Sequence, residues 1–231
     1  MLNIFIALLG CNIPSILDNR IKTSFKLVNE IISTNLDHDK IFFKKDLDMN
    51  QCVNPYMFNK INSNFRTSID PNINFHWFLS GGIKNNEIKT NTESFNMKTQ
   101  ISQMYSNTYS KIPGLKITFN YVQDEVSTNT AENFVNILMH LNSTRTNLNS
   151  HVEFDSVHIV TSKYHHLRAN KMFNLILNKS MELNPDYNLN LNKIEYKWSL
   201  GDLNNPDLIY WERVHILNIE SDVMNAIKKF L

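Results

Sequence analysis

His165 and Arg168 stand three residues apart, just after the apolar run Val157 to Val160 and the pair Thr161-Ser162. On a helix that spacing puts both side chains on one face. An imidazole can move a proton near neutral pH, and a guanidinium grips a carboxylate or phosphate. Comparable groups follow the other apolar runs. Gly10-Cys11-Asn12, with Arg20 downstream, follows Leu2 to Leu9, and Ser80-Gly81-Gly82 follows Phe75 to Leu79. Asp124-Glu125, then Ser127, Thr130 and Asn133, come after Leu115, Ile117, Phe119 and Tyr121. Glycine amides, hydroxyls, two arginines, a histidine and an acidic pair are what a site needs to hold an anion and move a proton beside it. In that reading His165 is a general acid or base, and Asp124 or Glu125 orients it, activates water or holds a divalent ion. The ligand-binding set is Gly10, Asn12, Arg20, Ser80, Gly81, Gly82, Ser127, Thr130, Asn133, Thr161, Ser162 and Arg168.

Each part also has a plainer reading. Ser80-Gly81-Gly82 reads equally as a tight turn, and Arg20 as the partner of some carboxylate. Asn129 followed by Glu132 has the spacing of a helix capping box, so Thr130 and Asn133 fall where a helix simply begins. His165 and Arg168 also suit a solvated helix start, and Asp124-Glu125 a solvated turn. His166 projects away from its neighbour. What favours a site is that all these segments follow strand-like runs.

Those runs alternate with helix-like segments, the signature of a mainly parallel sheet covered by helices on both faces. Leu2 to Leu9, Phe75 to Leu79, Leu115 to Tyr121, Val157 to Val160 and Ile194 to Leu200 read as five strands. Apolar periodicity predicts helices over about 16 to 34, 92 to 106, the segment holding Ala131 to Leu141, 165 to 180, and 219 to 230. The first, second and fourth strands are apolar almost throughout, as buried central strands are, whereas the third and fifth alternate like edges. The order 3-2-1-4-5 satisfies this and puts a topological switch point between strands one and four, where open α/β sheets bind ligands. Pro113-Gly114 marks the turn into the third strand. Residues 35 to 72, mixed aromatic and charged, read as an insertion in a single domain spanning 1–231.

A chain of 231 residues, 42% hydrophobic, can bury a substantial core. A formal net charge of +1 argues against a nucleic-acid binder. Two cysteines, Cys11 and Cys52, are too few for a disulfide framework and read as reduced cytoplasmic thiols. MLNIFIALLGC resembles a lipoprotein signal but lacks a basic start and a small residue at Leu9, so it reads as the first strand. No membrane span is expected. Zinc is not suggested, for want of C-x-x-C or H-E-x-x-H, and no metal ligands are assigned.

The ordered set Leu9-Gly10 with Leu17 and Arg20, Leu79-Ser80-Gly81-Gly82, Asp124-Glu125-x-Ser127-x-x-Thr130-x-x-Asn133 and Val160-Thr161-Ser162-x-x-His165-x-x-Arg168-Ala169 resembles the DUF218 family of YdcF, SanA and ElyC-like proteins. The resemblance implies a Rossmann-like three-layer α/β/α sandwich with a mainly parallel five-stranded sheet and these motifs lining a pocket at the strand ends. Members of that family are linked to envelope polysaccharide and lipid-carrier metabolism, and the resemblance suggests S-adenosylmethionine as a ligand. It implies no settled reaction. Many bacterial relatives carry N-terminal membrane segments that this sequence does not show, and the 35 to 72 stretch is longer than usual for the family.

Three functions fit. The first is an enzyme acting on a phosphorylated or pyrophosphorylated metabolite, with the two arginines and the amides of Gly81 and Gly82 on phosphate oxygens and a weakly bound divalent ion as a possible helper. The second is a nucleotide or S-adenosylmethionine binding protein; lacking G-x-G-x-x-G, it would not be a dinucleotide oxidoreductase. The third is a non-catalytic interaction module, which arginines paired internally would favour. The expected partner is a small anionic or nucleotide-like ligand.

Overall fold

In the computed structural model, residues 1–11, 13–35, 72–82, 92–109, 116–146, 152–183, 191, 194–202 and 206–230 are described. The first strand, β1 (Leu2–Leu9), is the centre of the molecule: Ile6, Ala7 and Leu8 are each 0% exposed. It pairs in parallel with β2 (Asn72–Ser80) on one side and β4 (Ser156–Ser162) on the other. Outside these lie β3 (Lys116–Asp124), parallel to β2, and β5 (Tyr196–Gly201), parallel to β4. The sheet order is therefore 3-2-1-4-5, and the two alternating strands are its edges, as their patterns predicted.

The sheet separates two apolar layers because successive strand residues point to opposite faces. On one face, Ile4, Ile6, Leu8, Trp77, Leu79 and Val160 pack under α1 (Pro14–Asn35) and α2 (Glu93–Thr108). Ile21, Phe25, Val28 and Ile32 recur at three- and four-residue spacing along α1 and are all buried. On the other face, Phe5, Ala7, Leu9, Phe78, Val157 and Ile159 pack under α3 (Thr130–Thr146), α4 (Lys163–Leu183) and the C-terminal helix. Phe134 of α3 meets Phe173 of α4 edge-on, with ring centroids 5.3 Å apart. The result is a three-layer α/β/α arrangement of Rossmann-like kind.

Two helices follow β5. The periodicity of the sequence predicts the last, α6 (Ile219–Phe230), which buries Ile219, Val223, Ala226 and Ile227. It starts with Glu220 and Asp222 and ends with Lys228 and Lys229, complementing its dipole. The other, α5 (Pro206–Ile216), was not anticipated, because most of its surface is exposed and no apolar stripe announces it. Its boundary signals are nonetheless present: Pro206 in the first turn with Asp207, and Arg213 and His215 in the last. Asn12, the turn at Pro113-Gly114 and the insertion proper lie outside the described residues. No helix among the described residues is long and apolar enough to cross a membrane.

Candidate functional site

The parallel register brings the predicted segments to one edge of the sheet. Leu9 pairs with Ser80 and Ser80 with Asp124, while Leu8 pairs with Val160 and Ser162 with Gly201. The carboxyl ends of all five strands thus finish side by side, and the helices that follow begin there.

The glycines serve this convergence differently from expectation. The Gly10 amide donates to the Ser80 carbonyl at 2.6 Å, that of Gly81 to Asp124 at 3.1 Å, and that of Gly82 to Ser127 at 2.9 Å. These amides are committed to neighbouring strand ends and are not free to cradle a phosphate, which corrects the expectation for Gly81 and Gly82. Close approach explains the residue type: a Cβ on Gly82 would sit 2.6 Å from the Glu125 carbonyl and 2.8 Å from that of Ser127. The space over Gly10 and Gly81 is filled by the carboxylate of Glu93, from the first turn of α2.

Asp124 ties the β3 end together. Its Oδ2 accepts from Ser80 Oγ at 2.8 Å and from Ser127 Oγ, and its Oδ1 from the amides of Val126 and Ser127 at 3.2 and 3.1 Å and from Asn136 Nδ2 at 3.3 Å. Five donors surround a carboxylate only 6% exposed. Its geometry is that of a group shaping a turn. Glu125 is exposed and accepts from Thr92 and Gln123. The two carboxylates flank a cleft of about 430 Å³ lined by Phe78, Gln123, Asp124, Glu125, Val126 and Asn136. Neither His165 nor either arginine lines that cleft.

The start of α3 carries the anticipated cap. Asn129 Oδ1 accepts from the Glu132 amide at 3.0 Å, and Glu132 Oε2 accepts from the Thr128 amide at 2.8 Å. Lys229 of α6 bonds the same Oε2 at 2.9 Å. Burial alone would raise the Glu132 carboxyl, but Lys229 and Thr128 outweigh it and hold it below the usual range. Among the described residues Asn133 Oδ1 is buried without a partner, as is Thr161 Oγ1 at the end of β4.

Arg20 is 3% exposed beneath the switch point. Its Nη1 donates to the Leu9 and Gly10 carbonyls at 2.9 and 2.7 Å, and its Nε to Ser162 Oγ at 2.8 Å. No carboxylate among the described residues pairs with it. Tyr164, a residue the sequence reading passed over, sits beside Ser162, Cys11 and Arg20; burial raises its phenol above the ordinary value although Arg20 opposes this.

His165 forms the chemical centre with a residue that sequence reasoning missed altogether. Glu212 of α5 reaches across to α4, placing Oε1 2.9 Å from His165 Nδ1. The same carboxylate receives a two-pronged contact from Arg168, Nε to Oε2 at 2.7 Å and Nη2 to Oε1 at 3.0 Å. Burial would raise Glu212, but the hydrogen bonds from His165 and Arg168 prevail and hold it at about 2. Burial, reinforced by the charges of Arg20 and Arg168, outweighs Glu212 at His165 and lowers its imidazole to about 4.

At neutral pH the imidazole is therefore neutral and Glu212 ionised. Two groups meet Nδ1, the Glu212 carboxylate at 2.9 Å and Arg168 Nη2 at 3.2 Å. An ionised carboxylate only accepts, so the shorter contact places the proton on Nδ1, and Arg168 Nη2 donates to Glu212 Oε1 rather than to the ring. The lone pair is then left on Nε2, which faces Thr130 Oγ1 at 3.4 Å. Carboxylate, imidazole and a half-buried hydroxyl stand in a row contributed by α5, α4 and α3. His166 lies apart, its ring edge-on to Trp198.

No group of three or more His, Cys, Asp or Glu among the described residues is placed to hold a metal ion. Compared with known proteins, the chain matches no family model, no curated protein and no solved structure.

Proposed function

We propose that the protein is an enzyme acting on a small phosphorylated or pyrophosphorylated metabolite at the carboxyl ends of its strands, with His165 as the proton-transfer group. The observation that carries this reading is the row from Glu212 through His165 to Thr130, in which a neutral imidazole presents Nε2 toward a hydroxyl. A base whose partner fixes its tautomer is built for directed proton transfer. Arg20 supports the anionic substrate: a buried cation whose partners among the described residues are carbonyls and a hydroxyl leaves a positive field at the switch point. Thr161 and Asn133 add buried polar atoms that have no partner among the described residues. The ordered motifs support a DUF218-like origin, and the free thiol of Cys11 suits a cytoplasmic setting.

One set of contacts favours the non-catalytic reading instead. Arg168 is engaged by Glu212, and the glycine amides are spent within the fold. An interaction module would look like this.

The deciding experiment is a thermal-shift and turnover screen with nucleoside diphosphates, sugar phosphates, pyrophosphate and S-adenosylmethionine, with and without magnesium, on the parent chain, His165→Gln and Arg20→Met. The enzyme reading expects a phosphate-dependent shift that Arg20→Met weakens and a turnover that His165→Gln abolishes. No shift and no turnover with any compound would transfer the argument to the interaction module. A shift with adenosyl compounds alone would mark a binding protein.

A further inference from the structure

Thr130 opens α3, yet its hydroxyl takes no part in capping that helix. The cap belongs to Asn129, which holds the Glu132 amide, and the amide and hydroxyl of Thr128 go to Glu132. The hydrogen-bond partner of Thr130 Oγ1 among the described residues is His165 Nε2. Thr130 is half-buried, whereas His165 behind it is 5% exposed. Of the two residues, Thr130 is therefore the more open to a reactant arriving from solvent. The hydroxyl also stands at the N-terminus of a 17-residue helix, whose positive end favours negative charge developing there.

We infer that Thr130 is the nucleophile of this site, activated by His165, which Glu212 orients, and that the reaction passes through a covalent phospho-threonine. This rests on the phosphate-directed reading above. Thr130 Oγ1 forms a bond to the electrophilic phosphorus while its proton passes to His165 Nε2. The bond from phosphorus to the leaving oxygen breaks, its electron pair stays on that oxygen, and the proton on Nε2 neutralises it. Water then attacks the phosphorus and gives a proton to Nε2, and Thr130 departs as an oxyanion that recovers that proton. The net reaction is hydrolysis, with water the sole co-reactant and no change of oxidation state.

An alkyl fluorophosphonate tests the nucleophile directly, because it leaves a stable phosphonyl group on an activated hydroxyl and releases fluoride. Peptide mapping by mass spectrometry is expected to place one adduct on Thr130, absent in Thr130→Val and retained in Thr130→Ser. His165→Gln is expected to slow labelling roughly 100-fold, the scale of a lost general base. Melting curves of each variant separate loss of reactivity from loss of fold. No adduct on the parent chain, an adduct that survives Thr130→Val, or a labelling rate indifferent to His165→Gln would overturn the inference. Turnover of bis(p-nitrophenyl) phosphate distinguishes this failure from that of the broader reading. If hydrolysis persists in Thr130→Val and is lost in His165→Gln, water is the nucleophile and only the covalent step falls. If hydrolysis is indifferent to both, the enzyme reading falls with it.

Discussion

Glu212 Oε1 lies 2.9 Å from His165 Nδ1, and this contact joins a helix that buries little apolar surface to the one that carries the imidazole. The outer side of α5 exposes Tyr210 and Trp211, so its attachment depends unusually on this polar anchor. Removing the carboxylate leaves Arg168 and His165 without their anion in a region largely closed to water. Glu212→Ala is expected to lower stability by roughly 3 kcal/mol, and Glu212→Gln, which keeps shape and an acceptor, by about half as much. Urea denaturation of the two variants measures this; equal and negligible losses would mean the anchor contributes nothing.

Acid is expected to destabilise the fold well before the carboxylates titrate. Burial lowers His165 to about 4, and burial with Lys197 nearby lowers His158 to about 4. In the unfolded chain both take up protons near pH 6.5. Between about pH 4 and 6.5 the unfolded state therefore binds more protons, so stability rises with pH across that window and levels off above it. Urea midpoints at pH 4.5, 5.5 and 7 that do not differ would contradict the buried neutral imidazoles. The acid limb of any turnover governed by His165 is expected near pH 4, below that of an ordinary imidazole.

Gly82 and Gly201 are expected to respond differently to a methyl group. At Gly82 the added Cβ meets backbone carbonyls, of Glu125 at 2.6 Å and Ser127 at 2.8 Å, which cannot move without shifting the β3 turn. At Gly201 it meets the side-chain oxygen of Asn19, which can swing aside. Gly82→Ala is expected to cost about 1 to 3 kcal/mol, and Gly201→Ala less than about 1 kcal/mol. Denaturation midpoints rank the pair, and a reversed ranking would show that the β3 turn is pliable.

Asp124→Asn keeps the shape of the residue but turns one of its acceptor atoms into a donor among five donors. A loss of roughly 2 kcal/mol is expected, with faster proteolysis between residues 124 and 130. Unchanged hydrogen exchange at the Val126 and Ser127 amides would show that Asp124 does not hold the turn. If Asp124 instead acts on substrate, turnover would collapse while stability held.

The sheet and its order were legible in the chain because the information is local. Strands buried on both faces must be apolar at nearly every position, as Leu2 to Leu9 is, and edges are free to alternate, as Lys116–Asp124 does. The same pattern located His165, Arg168, Arg20, Asp124 and Thr130, since whatever follows a parallel strand emerges at one edge of the sheet. What each of these groups touches was settled only by the tertiary structure. The partner of His165 lies 47 residues away on a helix with no apolar stripe, and no spacing rule couples the two. The glycine amides looked free in sequence because a strand end reveals nothing of the carbonyl that a neighbouring strand brings to it. Periodicity reports which side chains are buried. The pairing of polar groups is decided by approach in three dimensions, and with it the charge state of the imidazole and the direction in which its lone pair faces.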